Sequence, residues 1–134
     1  MGTRSITTII DNQFGKPKKL CTMYRQYDGY PSGHGMELCN FLDGMRICNG
    51  YGTEQSKGKW ANGAGCLAAQ MIVHFKQGIG GIYMDAPRTK LDGEDYGYEI
   101  TVNEDLSIYI KVRDCGRLVF SGMLEEFNSF CSKE

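Results

Sequence analysis

Residues 62–78, Asn-Gly-Ala-Gly-Cys-Leu-Ala-Ala-Gln-Met-Ile-Val-His-Phe-Lys-Gln-Gly, constrain the fold of this chain more than any other stretch. Asn62 is a good helix N-cap and Gly78 a good stop. Between them the residues are apolar almost all round, apart from a stripe of Gln70, His74 and Gln77. Such a helix has to be covered on most sides. In a chain of 134 residues, the size of one domain, it is expected to lie between a sheet and either another helix or another subunit. His74 on the polar stripe reads as a satisfied interface or surface group more readily than as a ligand.

Alternation elsewhere supplies the sheet. Residues 3–10, rich in Thr and Ile, and residues 19–27 read as two strands joined by a hairpin-type loop at 11–18. On the second strand Leu20, Thr22, Tyr24 and Gln26 share one face, while Cys21, Met23, Arg25 and Tyr27 share the other. Residues 80–86 read as a short strand ended by Pro87, and 88–95 as a charged, turn-rich connection. A meander follows, with strands at 96–102, 106–112 and 117–120. Two further helices are expected. One spans 35–43, with Leu38, Phe41, Leu42 and Met45 in register and Gly44 ending it; the other runs from a Ser121 cap through Cys131. Residues 46–61 are mixed and polar and read as a mobile segment, with Trp60 either anchoring the next helix or offering a stacking surface. The expectation is one α+β domain, residues 1–134, with an antiparallel sheet of about six strands, two main helices and a short C-terminal helix.

Composition excludes several classes. A net charge of -1 gives no basic field for long nucleic acid. No apolar run approaches the ~20 residues of a membrane span, and Met-Gly-Thr-Arg-Ser-Ile carries no signal-peptide core. Cys21, Cys39, Cys48, Cys66, Cys115 and Cys131 include no C-x-x-C pair, so they are expected to be reduced thiols of a cytosolic protein, four of them inside apolar patterns where a free cysteine acts as a small hydrophobe. No H-x-x-x-H or H-x-E pair, nucleophile elbow or P-loop occurs, and the chain is read as acting without a metal or cofactor.

The candidate chemistry lies in three pieces. The first is residues 24–35, Tyr-Arg-Gln-Tyr-Asp-Gly-Tyr-Pro-Ser-Gly-His-Gly, too polar for a core segment and too aromatic for a linker. It reads either as a structured loop carrying Arg25, Tyr27, Asp28, Tyr30 and His34 toward a ligand, or as a rigid turn whose tyrosines cap the core. The second is the helix N-terminus at Asn62, Gly63 and Gly65, where free N–H groups favour an anion, although Asn-Gly is also ordinary capping. The third is the polar face of the meander, with Tyr109, Lys111 and Arg113, together with Tyr83 and Tyr98. Aromatics interleaved with arginines suit a stacked base and a guanidinium-held phosphate, hence a small nucleotide. His34 near Asp28 is the one base–orienter pair that would serve a hydrolase, and no nucleophile is marked beside it.

The motifs Gly-Thr-Arg-Ser-Ile-Thr at 2–7, Tyr24 to Gly35 with Glu37-Leu38 and Phe41-Leu42, and Asn-Gly-Ala-Gly-Cys-Leu-Ala-Ala-Gln at 62–70 together resemble a family of small phage proteins, the first-described type of anti-Thoeris sponge. The resemblance covers about the first 75 residues, and the meander more loosely. It implies sequestration without turnover. Such proteins hold the cyclic ADP-ribose signal of a bacterial TIR-domain enzyme, in the cytoplasm of the infected host, as dimers that build hexamers. Some hold cyclic oligonucleotides at separate sites. It further implies that Arg25 holds phosphate, that Tyr83 stacks on adenine, and that Arg113, with Asp114 beside it, is the late-strand arginine. The alternatives are a phosphodiesterase or hydrolase acting on the same nucleotides, and a partner-binding phage protein with no nucleotide ligand.

Overall fold

A computed structural model describes residues 2–133. Strands β1 (Ser5–Asn12) and β2 (Lys18–Arg25) form an antiparallel hairpin, and the short strand β5 (Ile82–Asp85) adds to the outer edge of β2. On the other side of β1 lie β6 (Tyr96–Asn103), β7 (Ile108–Asp114) and β8 (Arg117–Gly122), so the six strands run in the order β5-β2-β1-β6-β7-β8. Helices α1 (Met36–Leu42), α3 (Gly63–Phe75) and α4 (Leu124–Ser132) cover one face. The α+β architecture and the strand number are as the alternation predicts.

One pairing departs from a purely antiparallel sheet: β1 and β6 are parallel over their whole length. Nothing local announces this, because the two strands are joined through the rest of the domain and no turn links them. β5 and β6 run in the same direction, and the connection between them is not a helix: residues 86–95 cross the face opposite the helices. There Thr8 donates its hydroxyl to the Arg88 carbonyl, and Thr22 accepts the Arg88 N–H at 2.9 Å. Arg88 is pinned in turn by Asp85 at 2.8 Å and Glu94 at 2.9 Å. Burial would raise the Glu94 carboxyl, but the Arg88 guanidinium outweighs it and holds the group below its ordinary range. Gly97 makes room for the crossing, because a side-chain carbon there would come within 2.8 Å of Leu91.

This covering explains why Ser5 to Ile10 are buried without a break. Ile9, Met23, Ile100, Val102, Ile110 and Val112 face the helices and meet Leu38, Leu42, Leu67, Met71 and Phe127 in a single core.

Residues 46–61, expected as a mobile segment, contain regular structure. Strands β3 (Arg46–Cys48) and β4 (Trp60–Asn62) pair in parallel around a one-turn helix α2 (Thr53–Lys57). Ile47, Cys48 and Ala61 are buried by the pairing; three-residue strands are too short to show a period. Trp60 is half-buried, with the Arg46 guanidinium 5.6 Å from its ring centre, and its carbonyl takes the Gln70 side-chain N–H at 3.1 Å, which ties it to α3. Two caps also differ from the sequence pattern. Asn62 Oδ1 accepts the Gly50 N–H at 2.7 Å, and Gln13 Oε1 takes the Ala64 N–H at 3.2 Å in its place. Ser121 lies in β8, and α4 is held by Glu126 accepting the Met123 N–H at 3.0 Å. The strand expected from residue 106 begins at Ile108, because Leu106 sits in a turn at φ 67.

α3 buries Ala64, Leu67, Ala68, Met71 and Phe75, but Val73 is 80% exposed and Gly65 and Ala69 are exposed beside it. One flank of the helix is therefore open within a single chain. All six cysteines carry free thiols, with Cys39, Cys48 and Cys131 buried. Among the described residues, no helix is long and apolar enough to cross a membrane.

Candidate functional site

Arg25 is the last residue of β2, and strand alternation turns it to the helix-covered face. It is 8% exposed. A guanidinium buried to that degree needs partners for its fixed fork of donors. Nε donates to the Tyr27 carbonyl at 2.8 Å, and Nη1 reaches both Glu37 Oε2 at 2.8 Å and His34 Nδ1 at 3.1 Å. The remaining nitrogen, Nη2, has no hydrogen-bond partner among the described residues. The Tyr27 ring lies 5.7 Å from the guanidinium carbon, close enough for a cation–π contact.

His34 stands behind this arginine. A short π-helical turn, Pro31–Gly35, directs it into the core, where it is fully buried against Phe75 and Tyr98. Its Nε2 lies 2.7 Å from Thr7 Oγ1. Burial, and then the Arg25 charge, push its pKa down to about 3, so the ring is neutral. Arginine donates only, so Nδ1 is the acceptor and Nε2 carries the proton, donated to Thr7. Both ring nitrogens are thereby engaged, and no edge of His34 is open to act as a general base.

The loop that carries these groups is stiff. The His34 N–H donates to the Asp28 carbonyl at 2.8 Å, and the Gly29 N–H to the Thr3 carbonyl at 2.9 Å. Tyr27 and Tyr30 nevertheless face solvent, so the tyrosines do not cap the core. Tyr30 reaches Asp28 Oδ1 at 3.2 Å.

In front of Arg25 is a cavity of about 200 Å³, with Tyr27, Glu37, His74, Gln77, Gly80 and Gly81 around it. The end of α3 and the turn after it form its far wall. Gly80 and Gly81 take φ of 80° and 77°, which lets the turn fold over the Tyr27 ring; a side-chain carbon on Gly81 would lie 3.2 Å from the tyrosine oxygen. Lys76 donates to the carbonyls of Gly80 at 3.1 Å and Ile82 at 2.8 Å, and its ammonium lies 5.6 Å from the Tyr83 ring centre. The site thus offers an arginine edge, an aromatic face and close backbone approach, the components of a phosphate or nucleotide contact. Compared with known proteins, the chain matches no protein-family model, no curated protein and no solved structure.

The structure gathers only part of the expected set. Arg25 and Tyr27 meet at the cavity, Asp28 and Tyr30 follow on the adjoining loop, and His34 lies beneath. The other residues sit elsewhere, and the three pieces do not converge in one chain. Asn62, Gly63 and Gly65 are at the far end of α3, ~18 Å away at 1.5 Å per residue, with the Asn62 side-chain oxygen and the Ala64 N–H already bonded.

Tyr83 is opposite Tyr24 in the register, on the face away from Arg25, with ring centres 6.0 Å apart. Tyr109 and Arg113 share that back face, and Arg113 Nε is paired with Glu99 at 2.8 Å. Asp114 ends β7 opposite Arg117. Tyr98 is corrected outright. It is 1% exposed, donates its hydroxyl to the Gly29 carbonyl at 2.7 Å, and touches the core instead of a ligand. His34 is corrected in the same way as a direct ligand contact.

A larger hollow, about 680 Å³, lies on the back face between Lys90, Leu91, Glu94, Asp95 and Arg113. Size alone would favour it. Its acidic residues and the Arg113–Glu99 pair make it a poorer anion site than the smaller cavity. Sequence reading missed Glu37 as a partner of Arg25, and His74, Gln77, Gly80 and Gly81 as cavity walls. The paired glycines just beyond the apolar helix were the available signal.

Proposed function

We propose that the chain binds a small phosphate-bearing nucleotide, of the cyclic ADP-ribose type, and holds it without turnover, as the resemblance to the anti-Thoeris sponges implies. The observation that carries this reading is the buried guanidinium of Arg25, fixed by three contacts at the wall of a cavity beside an aromatic ring. The engagement of both His34 nitrogens favours binding over hydrolysis, because the one base marked in the sequence is occupied.

A volume of about 200 Å³ is below the ~300 Å³ of ordinary ligand pockets. One chain therefore encloses a phosphate and part of a sugar, and the rest of the nucleotide is covered from outside. A second copy supplies that cover in this reading. His74 lines both the cavity and an adjoining groove of about 510 Å³ along α1 and α3, where Phe41, Ala69 and Val73 present apolar surface. We propose a homo-oligomer through this flank, a dimer that assembles further into a hexamer, working in the cytoplasm of an infected bacterial host. Cyclic oligonucleotides are proposed for separate sites between subunits.

The test is calorimetric titration with cyclic ADP-ribose isomers, followed by heat release and chromatography of the bound material. Ligand recovered intact supports sequestration; ligand recovered altered sinks it in favour of a hydrolase. Arg25→Ala is expected to weaken binding roughly 10- to 100-fold, the loss of one charge-assisted contact. An unchanged dissociation constant refutes the site. A partner-binding protein is the second reading, favoured by Val73 at 80% exposure, and it predicts no heat with any cyclic nucleotide.

A further inference from the structure

We propose that His34 is a positioning residue, a neutral acceptor that aims Arg25 at the cavity through a proton fixed by Thr7. The inference rests on the reading of Arg25 as an anion-binding group and adds how that group is prepared. A buried arginine is usually oriented by a carboxylate, which also neutralises it. Here the innermost partner of Arg25 is the imidazole of His34, with Nδ1 3.1 Å from Nη1. An imidazole acceptor orients the fork and leaves its full charge for an incoming phosphate. The one carboxylate on this arginine, Glu37, is 49% exposed at the cavity rim. Solvent can take it when an anion enters.

The arrangement works in a single tautomer. If the ring proton moved to Nδ1, two donors would face each other across 3.1 Å and the guanidinium would turn away. Thr7 prevents this by holding the Nε2 proton at 2.7 Å. Thr7 is fully buried in β1, is cross-strand neighbour to Met23, and is absent from the cavity wall. Any influence of Thr7 on a ligand therefore passes through His34. Arg25 is the charged group facing the ring, Glu37 reaches it through Arg25, and Tyr98 and Phe75 enclose the rest.

The experiment compares wild type with Thr7→Val, which keeps the shape and removes the acceptor, and Thr7→Ser, which keeps the hydroxyl. Each is titrated with cyclic ADP-ribose, and long-range 15N–1H spectra report which nitrogen of His34 carries the proton. The Arg25 Nη signals are recorded in the unliganded proteins. Thr7→Val is expected to lose about tenfold in affinity, to lose the Nε2-protonated signature, and to average the Nη signals. Thr7→Ser is expected to restore all three. Equal affinities in the three proteins, or an unchanged tautomer in Thr7→Val, overturn the proposal. If wild type takes up no cyclic ADP-ribose, the nucleotide reading fails by itself. The Nη signals then decide the positioning role: ordered in wild type and Thr7→Ser but averaged in Thr7→Val upholds it, and no difference refutes it. Should Thr7→Val fail to fold, the pair His34→Asn, which retains an acceptor, and His34→Leu, which does not, makes the same comparison.

Discussion

The buried imidazole makes stability depend on pH in a window where few other groups act. His34 has an ordinary value of 6.5 and is held at about 3 in the fold, first by burial and then by the Arg25 charge. The unfolded chain therefore binds a proton that the folded chain refuses. Stability from this group is complete above pH 6.5 and is lost as pH falls toward about 3. Within that window the slope is about 1.4 kcal/mol per pH unit, so lowering the pH from about 7.5 to about 5 removes about 2 kcal/mol. Asp85 and Glu94 both have lowered values and stay ionised in the fold over this range, and their unfolded-state uptake begins only near its acid end, so they add little slope there. The assay is urea unfolding at several pH values, with His34→Asn as the reference, because that side chain does not titrate. Wild type is expected to lose about 2 kcal/mol across the interval and the variant to stay flat. A wild-type curve as flat as the variant's would refute the burial of a neutral His34, and with it the fixed tautomer.

The remaining predictions concern the scaffold. Phe127→Ala empties a fully buried site under α4 and is expected to cost about 3–5 kcal/mol by chemical denaturation. Arg88→Ala leaves Glu94 without its guanidinium; amide exchange of residues 86–95 should accelerate, with little change in the helices. In the wild type the same clasp should weaken only as pH falls below the ordinary 4.5 of glutamate, through the lowered value of Glu94. Gly35→Ala places a methyl 2.7 Å from Cys131 Sγ, and a loss of about 1–3 kcal/mol is expected in the melting curve.

Alternation and apolar periodicity made the elements of the main sheet and helices legible, because each of these elements runs for at least four residues. β3 and β4 escaped notice, being three residues each. Their order comes from packing under α3, which no local pattern records. The parallel β1–β6 pair escaped for a related reason, since the partner of a strand is chosen by the whole sheet. At the site, Arg25 and Tyr27 stood out as an arginine–aromatic pair at a strand end. Glu37 stands in the first turn of α1, and its contact with Arg25 forms only when α1 is docked. His34 invited a base–orienter reading because Asp28 lies near it in sequence, whereas the turn at Pro31 drives it inward. Tyr98 shares the face of β6 that carries Ile100 and Val102, the apolar one, and so belongs to the core.

The parallel partner of β1 has a consequence for how the chain acquires its fold. β1 and β2 are neighbours in sequence and can close their hairpin early. The other edge of β1 waits for residues 96–103, and its outer face for residues 86–95, which must cross before β6 can dock. The central strand, with Ile6 and Ile10 on that outer face, is thus an unsheltered sticky edge until most of the polypeptide has left the ribosome. High contact order at the centre of the sheet makes completion slow relative to helical proteins of this size. Truncation before β6 would accordingly yield an aggregating hairpin with its helices, and not a smaller stable domain.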